Sequence, residues 1–167
     1  MALERRMKKD LPPLDVVFEE NFIAEVKDIF EKKIVFNEVL GLKITSLSPR
    51  VVTASIEMRH ELVGHYAYNR IHGGVISACL DTMGGLACMA AMGARHMDEP
   101  VAQRVQRFAK LGTIDLRVDY LRPGIGERFV LRAEVLRLGS RVGSTRMEFA
   151  GTDGLLMSSG SGAYIVS

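Results

Sequence analysis

The sequence predicts an α+β domain in which a curved antiparallel sheet wraps around one long central helix. Two observations carry that expectation. The run Gly73–Ala94 is small and apolar, rich in Ala, Met and Cys, and Asp81 is the one charge inside it. A helix that is apolar on every side must be enclosed by protein. Beyond residue 111 the pattern changes to strict alternation, the period of a sheet with one wet face. A sheet curling around the helix is the economical way to enclose it, and 167 residues suit one domain with a proper core.

The elements follow in order. Residues 1–18 are polar and broken by Pro12 and Pro13, an N-terminal arm, and 19–167 form the domain. In 19–36, Phe22, Ile23, Val26, Ile29, Phe30 and Val35 share roughly one face, which predicts an amphipathic helix. Residues 40–48 and 50–59 read as strands around the Ser48-Pro49 turn, and 60–71 as a loop. The buried helix starts at Gly73. Residues 99–110 make a short basic connection of a helical turn or two. Four strands follow. Ile114, Leu116, Val118 and Tyr120 alternate inward in the first, Phe129, Leu131, Ala133 and Val135 in the second, and Thr145, Met147 and Phe149 in the third. Asp153-Gly154 is a hairpin signal that launches the last.

Bulk composition excludes several classes. Hydrophobic residues make up 47% and charged residues 25%, an ordinary globular balance, and a net charge of +2 is too small to argue for nucleic acid. The basic N-terminus is followed by prolines and an Asp rather than an apolar stretch, so no signal peptide is expected. A helix over 73–93 would be about 30 Å long, the thickness of a bilayer core. Its five glycines, its scarcity of Leu, Ile and Phe, and Asp81 argue against a membrane span. Cys79 and Cys88 lack metal-ligand spacing and read as reduced core thiols of a cytoplasmic protein.

Asp81 poses the chemical question, because an isolated carboxylate taken out of water costs several kcal/mol or shifts its pKa until it is neutral. The first N–H groups of a helix have no intrahelical partner and sit at the positive end of its dipole. Gly73 and Gly74 there would let a substrate carbonyl come close to those donors as its oxygen gains charge. Asp81 would serve as general base or nucleophile. Alone, Asp81 is equally a structural carboxylate; its spacing from His72-Gly73-Gly74 favours catalysis. His72 is a positioning residue at the helix start. Gly-Ile-Gly at 124–126 joins two strands and is no dinucleotide loop. Arg104, Arg107, Lys110, Arg122 and Arg141 read as mostly solvated charges.

The combination resembles a known family. A loop carrying Asn69, then His72-Gly73-Gly74 opening an apolar helix, then Asp81 nine residues after the His is similar to hotdog-fold thioesterases of the PaaI type. The later "LGTIDLRVDYLRPGIGERF" and "VLRLGSRVGS" bring it nearest to the YigI-like acyl-CoA thioesterases, over roughly residues 36–167. The resemblance implies hydrolysis of acyl-CoA, no metal or other cofactor, and dimers that often pair into tetramers. It implies catalytic roles for Asp81, Gly73, Gly74 and His72, and substrate contacts from Asn69, Thr113, Arg122 and Arg141, the arginines as candidates for the CoA phosphates. Tyr66 stands where some relatives carry a polar residue. Two rivals remain: a hotdog hydratase or dehydratase, disfavoured because no Asp-x4-His pair is present, and a non-catalytic acyl-CoA or anion-binding module. Neither nucleic acid nor membrane is an expected partner.

Overall fold

Residues 11–167 are described by a computed structural model. The amphipathic segment folds as a helix in two pieces. Helix α1 (Glu20–Asp28) buries Phe22 and Val26 and runs into a widened turn (Ile29–Lys33), where the Ile34 N–H reaches the Ile29 carbonyl. The chain leaves helical geometry at Ile34 (φ −79°, ψ 91°) and restarts as α2 (Val35–Leu40). That break rotates Val35 off the apolar face, so the residue expected inside is 67% exposed. Of the expected arm, residues 1–10 lie outside the described residues. The remainder packs on the domain: Arg50 Nε donates to the Pro12 carbonyl, and Phe18 is buried with its ring 4.8 Å from that of Phe22.

Strands β1 (Lys43–Leu47) and β2 (Val51–Glu57) form the expected hairpin. The 60–71 segment is more ordered than a loop, for β3 (Val63–His65) and β4 (Arg70–Ile71) pair as a small ribbon. Helix α3 (Gly73–Arg95) follows, then α4 (Val101–Gln106) with a 3-10 turn to Lys110. The C-terminal strands are β5 (Gly112–Tyr120), β6 (Arg128–Leu138), β7 (Val142–Gly151) and β8 (Leu156–Ile165). The main sheet is antiparallel, in the order β1-β2-β6-β7-β8-β5, and it wraps α3 as expected.

The helix is not covered evenly, and energetics explain the difference. Every residue from Met83 to Ala94 is buried, and Leu80, Met83, Leu86 and Met89 are fully enclosed. Each such side chain gains about 1.5–3 kcal/mol on leaving water. The N-terminal half instead keeps an open stripe of Gly74, Ser77, Ala78, Asp81 and Thr82, and there the carboxylate avoids full desolvation. The expectation of Asp81 in a dry core is therefore corrected: it is half-buried.

Periodicity holds along β7 and along β6 as far as Val135, with Phe129, Leu131, Ala133, Thr145, Met147 and Phe149 buried, and a bulge at Leu136 then shifts the β6 register. In β5 two of the expected inward residues, Ile114 and Tyr120, are more than half exposed, and at Ile114 a bulge is the cause. Register with β8 skips Ile114, between Thr113 opposite Tyr164 and Asp115 opposite Ala163. This bulge leaves Ile114 53% exposed and puts Thr113 on the same side as Leu116, facing α3.

Arg104 corrects a second expectation. It is fully buried rather than solvated. Its Nη2 lies 2.5 Å from Glu19 Oε1, its Nη1 is 2.8 Å from Met97 Sδ, and its guanidinium carbon stands 4.7 Å from the Phe22 ring centroid. Glu19 is 44% exposed, and the hydrogen bond from Arg104 holds its carboxyl below the ordinary carboxylate range. That contribution is present above the ordinary carboxylate pKa and is lost as pH falls through the lowered one. The asymmetry of burial makes a prediction. Glu19→Gln strands a buried cation and is expected to cost about 3 kcal/mol in urea unfolding. Arg104→Met removes the charge and leaves Glu19 partly in water, so it should cost less. The reverse order would contradict the pairing.

Candidate active site

His72 opens α3 from an extended conformation (φ −67°, ψ 136°), anchored by its N–H on the Leu62 carbonyl. Its Nδ1 accepts from the Gly74 N–H at 2.8 Å, and its carbonyl accepts from Val75 and Ile76. Gly74 is needed for this cap, since a Cβ there would sit 2.9 Å from Nδ1. The expectation that both glycine N–H groups are open is thus corrected. Gly74 is taken by the histidine, and the Gly73 N–H has no acceptor among the described residues.

Gly73 faces a cavity of about 340 Å³ that Arg70, Ile76, Tyr120 and Arg122 also line. Tyr120 Oη donates to the Gly73 carbonyl at 2.8 Å, and Arg122 Nη1 donates to the Leu156 carbonyl. Asn69 precedes the helix in left-handed geometry (φ 46°), one that asparagine tolerates, and it is exposed.

Asp81 occupies the stripe two turns further on. Thr113 Oγ1 donates to its Oδ1 at 2.9 Å, which the β5 bulge makes possible. Tyr164 Oη donates to its main-chain carbonyl at 3.1 Å, filling a slot that Gly84 and Gly162 leave open: a Cβ at 84 would lie 2.1 Å from that oxygen, and one at 162 would lie 2.8 Å from it. Burial, and then the neighbouring Asp81 charge, push the Tyr164 phenol well above its ordinary pKa, so it stays a donor. On the other flank Thr82 Oγ1 donates to Asn37 Oδ1, and the buried Asn37 donates to the Phe30 carbonyl beside the widened turn. Both flanks of the helix turn carrying the carboxylate are therefore held.

The structure brings Asp81 to Thr113, and Gly73 to Arg122. It does not bring the two groups together: eight helical positions separate Gly73 from Asp81, about 12 Å. Arg141 lies in the β6–β7 turn, beside Val166 and towards the C-terminal end of α3, away from Arg122. Tyr120, Tyr164 and Asn37 were not singled out from sequence, and nothing local marks them. Their partners are 45 to 83 positions away, and strand order supplies the contacts. Among the described residues, no three His, Cys, Asp or Glu side chains gather as a metal would require.

Comparison with known proteins gives consistent matches. The family model of the thioesterase superfamily matches residues 68–158. The chain is 34% identical over 151 residues to the medium/long-chain acyl-CoA thioesterase YigI of Escherichia coli strain K12, covering 90% of this chain and 97% of that one. A crystal structure from Shewanella oneidensis, related to the thioesterase superfamily, is 37% identical, with a TM-score of 0.83 over 88% of this chain and 96% of that chain. Zebrafish thioesterase superfamily member 2 shares the fold, with a TM-score of 0.68 at 18% identity over 90% of this chain and all of that one.

Proposed function

Because the chain belongs to the thioesterase superfamily, we propose that it hydrolyses acyl-CoA thioesters to the free acid and CoA at a site shared between two subunits. Its fold is the hotdog fold of that superfamily. Asp81 activates water, or attacks the thioester carbonyl itself, while the Gly73 N–H receives the carbonyl oxygen as it gains charge. Thr113 orients the carboxylate, His72 caps and positions α3, and Asn69, Arg122 and Arg141 contact substrate. Medium and long acyl chains are the preferred substrates, by analogy with the activity named for the Escherichia coli relative.

One observation carries the shared site. A reacting carbonyl must lie about 3 Å from both the attacking group and the oxyanion donor, and a single straight helix holds Asp81 and Gly73 about 12 Å apart. Two copies of α3 packed antiparallel along their open stripes would set Gly73 of one opposite Asp81 of the other. Strand β5 supports the pairing: it is a free sheet edge, with Ile114 and Tyr120 each more than half exposed. Light scattering at micromolar concentration should therefore give at least twice the 18.5 kDa chain mass, as a dimer or a dimer of dimers. A monomer would overturn the arrangement.

A cytoplasmic location fits the two free, buried cysteines, whose thiols burial pushes up to about 12. The activity itself is read by thiol release across a panel of acyl-CoA chain lengths. Turnover rising from acetyl to longer chains is the expected result. CoA binding without turnover would favour the non-catalytic module instead.

A further inference from the structure

Tyr164 carries a hydroxyl into a core that has no evident need of one. It is buried, and its ring lies back over Gly162 to bring Oη to the main-chain carbonyl of Asp81. Helix α3 runs unbroken from Gly73 to Arg95, so that carbonyl already accepts the N–H four residues further on, as helical carbonyls do. The fold therefore does not require the phenol to satisfy it. Yet the ring's slot takes two glycines, Gly84 in mid-helix and Gly162 in mid-strand, positions where glycine weakens the element that contains it. A phenylalanine would fill the same space with no polar group to bury. A buried phenol retained at that cost points to a directional task.

Strand register shows what that task is. Tyr164 on β8 stands directly opposite Thr113 on β5, and opposed residues of an antiparallel pair have their Cα atoms about 4.5–5.5 Å apart. Thr113 Oγ1 holds the Asp81 carboxylate, and Tyr164 Oη holds the main-chain carbonyl of the same residue. One cross-strand pair thus grips both ends of one aspartate, and the bulge at Ile114 is what turns Thr113 to the face that allows it. The Asn37–Thr82 bond steadies the other flank of the turn but touches neither end of Asp81. We propose that Tyr164 is a positioning residue, which with Thr113 clamps the Asp81 carboxylate in the place from which it acts. The proposal rests on the catalytic reading of Asp81 given above. A contact at the carboxylate alone lets the helix shift or turn against β5, whereas a second contact at the main chain fixes it. Since a displacement of about 1 Å can cost a reacting group about a hundredfold in rate, the loss of one grip should be visible in kcat.

The test is Tyr164→Phe, which keeps the ring in its slot and removes the hydroxyl alone. For a long-chain acyl-CoA, kcat should fall about tenfold while KM stays within about twofold, because no group that touches substrate is altered. In the Asp81→Asn background the same substitution should change the rate by less than about twofold, since residues that act as a unit do not add. Crystal structures of wild type and variant give a readout that needs no turnover. In Tyr164→Phe the separation of Asp81 Oδ1 from Thr113 Oγ1 should open beyond about 3.5 Å, out of hydrogen-bond reach. An unchanged kcat, an equal loss in both backgrounds, or an Asp81–Thr113 bond that survives intact would each overturn the clamp. A fall in Tm with kcat unchanged would mark the phenol as a structural donor only. If wild type itself hydrolyses no acyl-CoA, that result counts against the proposed activity alone, and the two crystal structures still decide the clamp.

Discussion

Asp81→Asn should lower kcat for acyl-CoA hydrolysis about a thousandfold, the scale on which a positioned acid–base group contributes. The substitution is nearly isosteric. The amide oxygen can still accept from Thr113 Oγ1, and the main-chain carbonyl keeps its bond from Tyr164. Since the carboxylate is only half-buried and has no ion pair among the described residues, removing its charge strands no partner. Tm should therefore stay within about 2–4 °C, the shift that 1 kcal/mol gives a chain of this size, or rise slightly. The pairing of a large kinetic loss with a small stability change separates a catalytic carboxylate from a structural one. Activity within severalfold of wild type would mark Asp81 as structural. A large fall in Tm would mean that the Thr113 contact does more for the fold than for the reaction.

Much of this architecture was legible before any coordinates. The long helix announced itself because an apolar run needs protein around it, and β7 and most of β6 because their inward residues keep period two, in β6 as far as Val135. What escaped depends on contacts between distant parts of the chain. Arg104 resembled any basic residue on a connecting turn, and only Glu19, 85 positions earlier, together with Phe22, makes its burial tolerable. The bulge at Ile114 breaks an alternation that looks perfect in sequence, and it is the bulge that turns Thr113 toward Asp81. At the site, the His-Gly-Gly motif pointed to the right helix start, but not to the division of labour within it. His72 occupies the Gly74 N–H because its side chain folds back as a cap, a local geometry that residue types alone do not dictate.

That division of labour selects the variant for the most direct test of a shared site. Gly73→Pro removes the one first-turn N–H left without an acceptor among the described residues, and keeps the His72 cap on Gly74. Proline is accommodated there: His72 already has the extended backbone that a following proline requires, and the added Cβ would lie 3.3 Å from the Tyr120 ring, a half-exposed side chain able to shift. Gly73→Ala, with the same Cβ but an intact N–H, is the control and should retain activity. Gly73→Pro and Asp81→Asn homodimers should each be nearly inactive. A mixed dimer holds one site with both groups intact and one with neither. Co-refolding equal amounts of the two chains should therefore restore roughly a quarter of the wild-type rate, since half of randomly paired dimers are mixed and each has one working site. Verified mixed dimers as inactive as their parents would show that Gly73 and Asp81 do not meet across the subunit boundary.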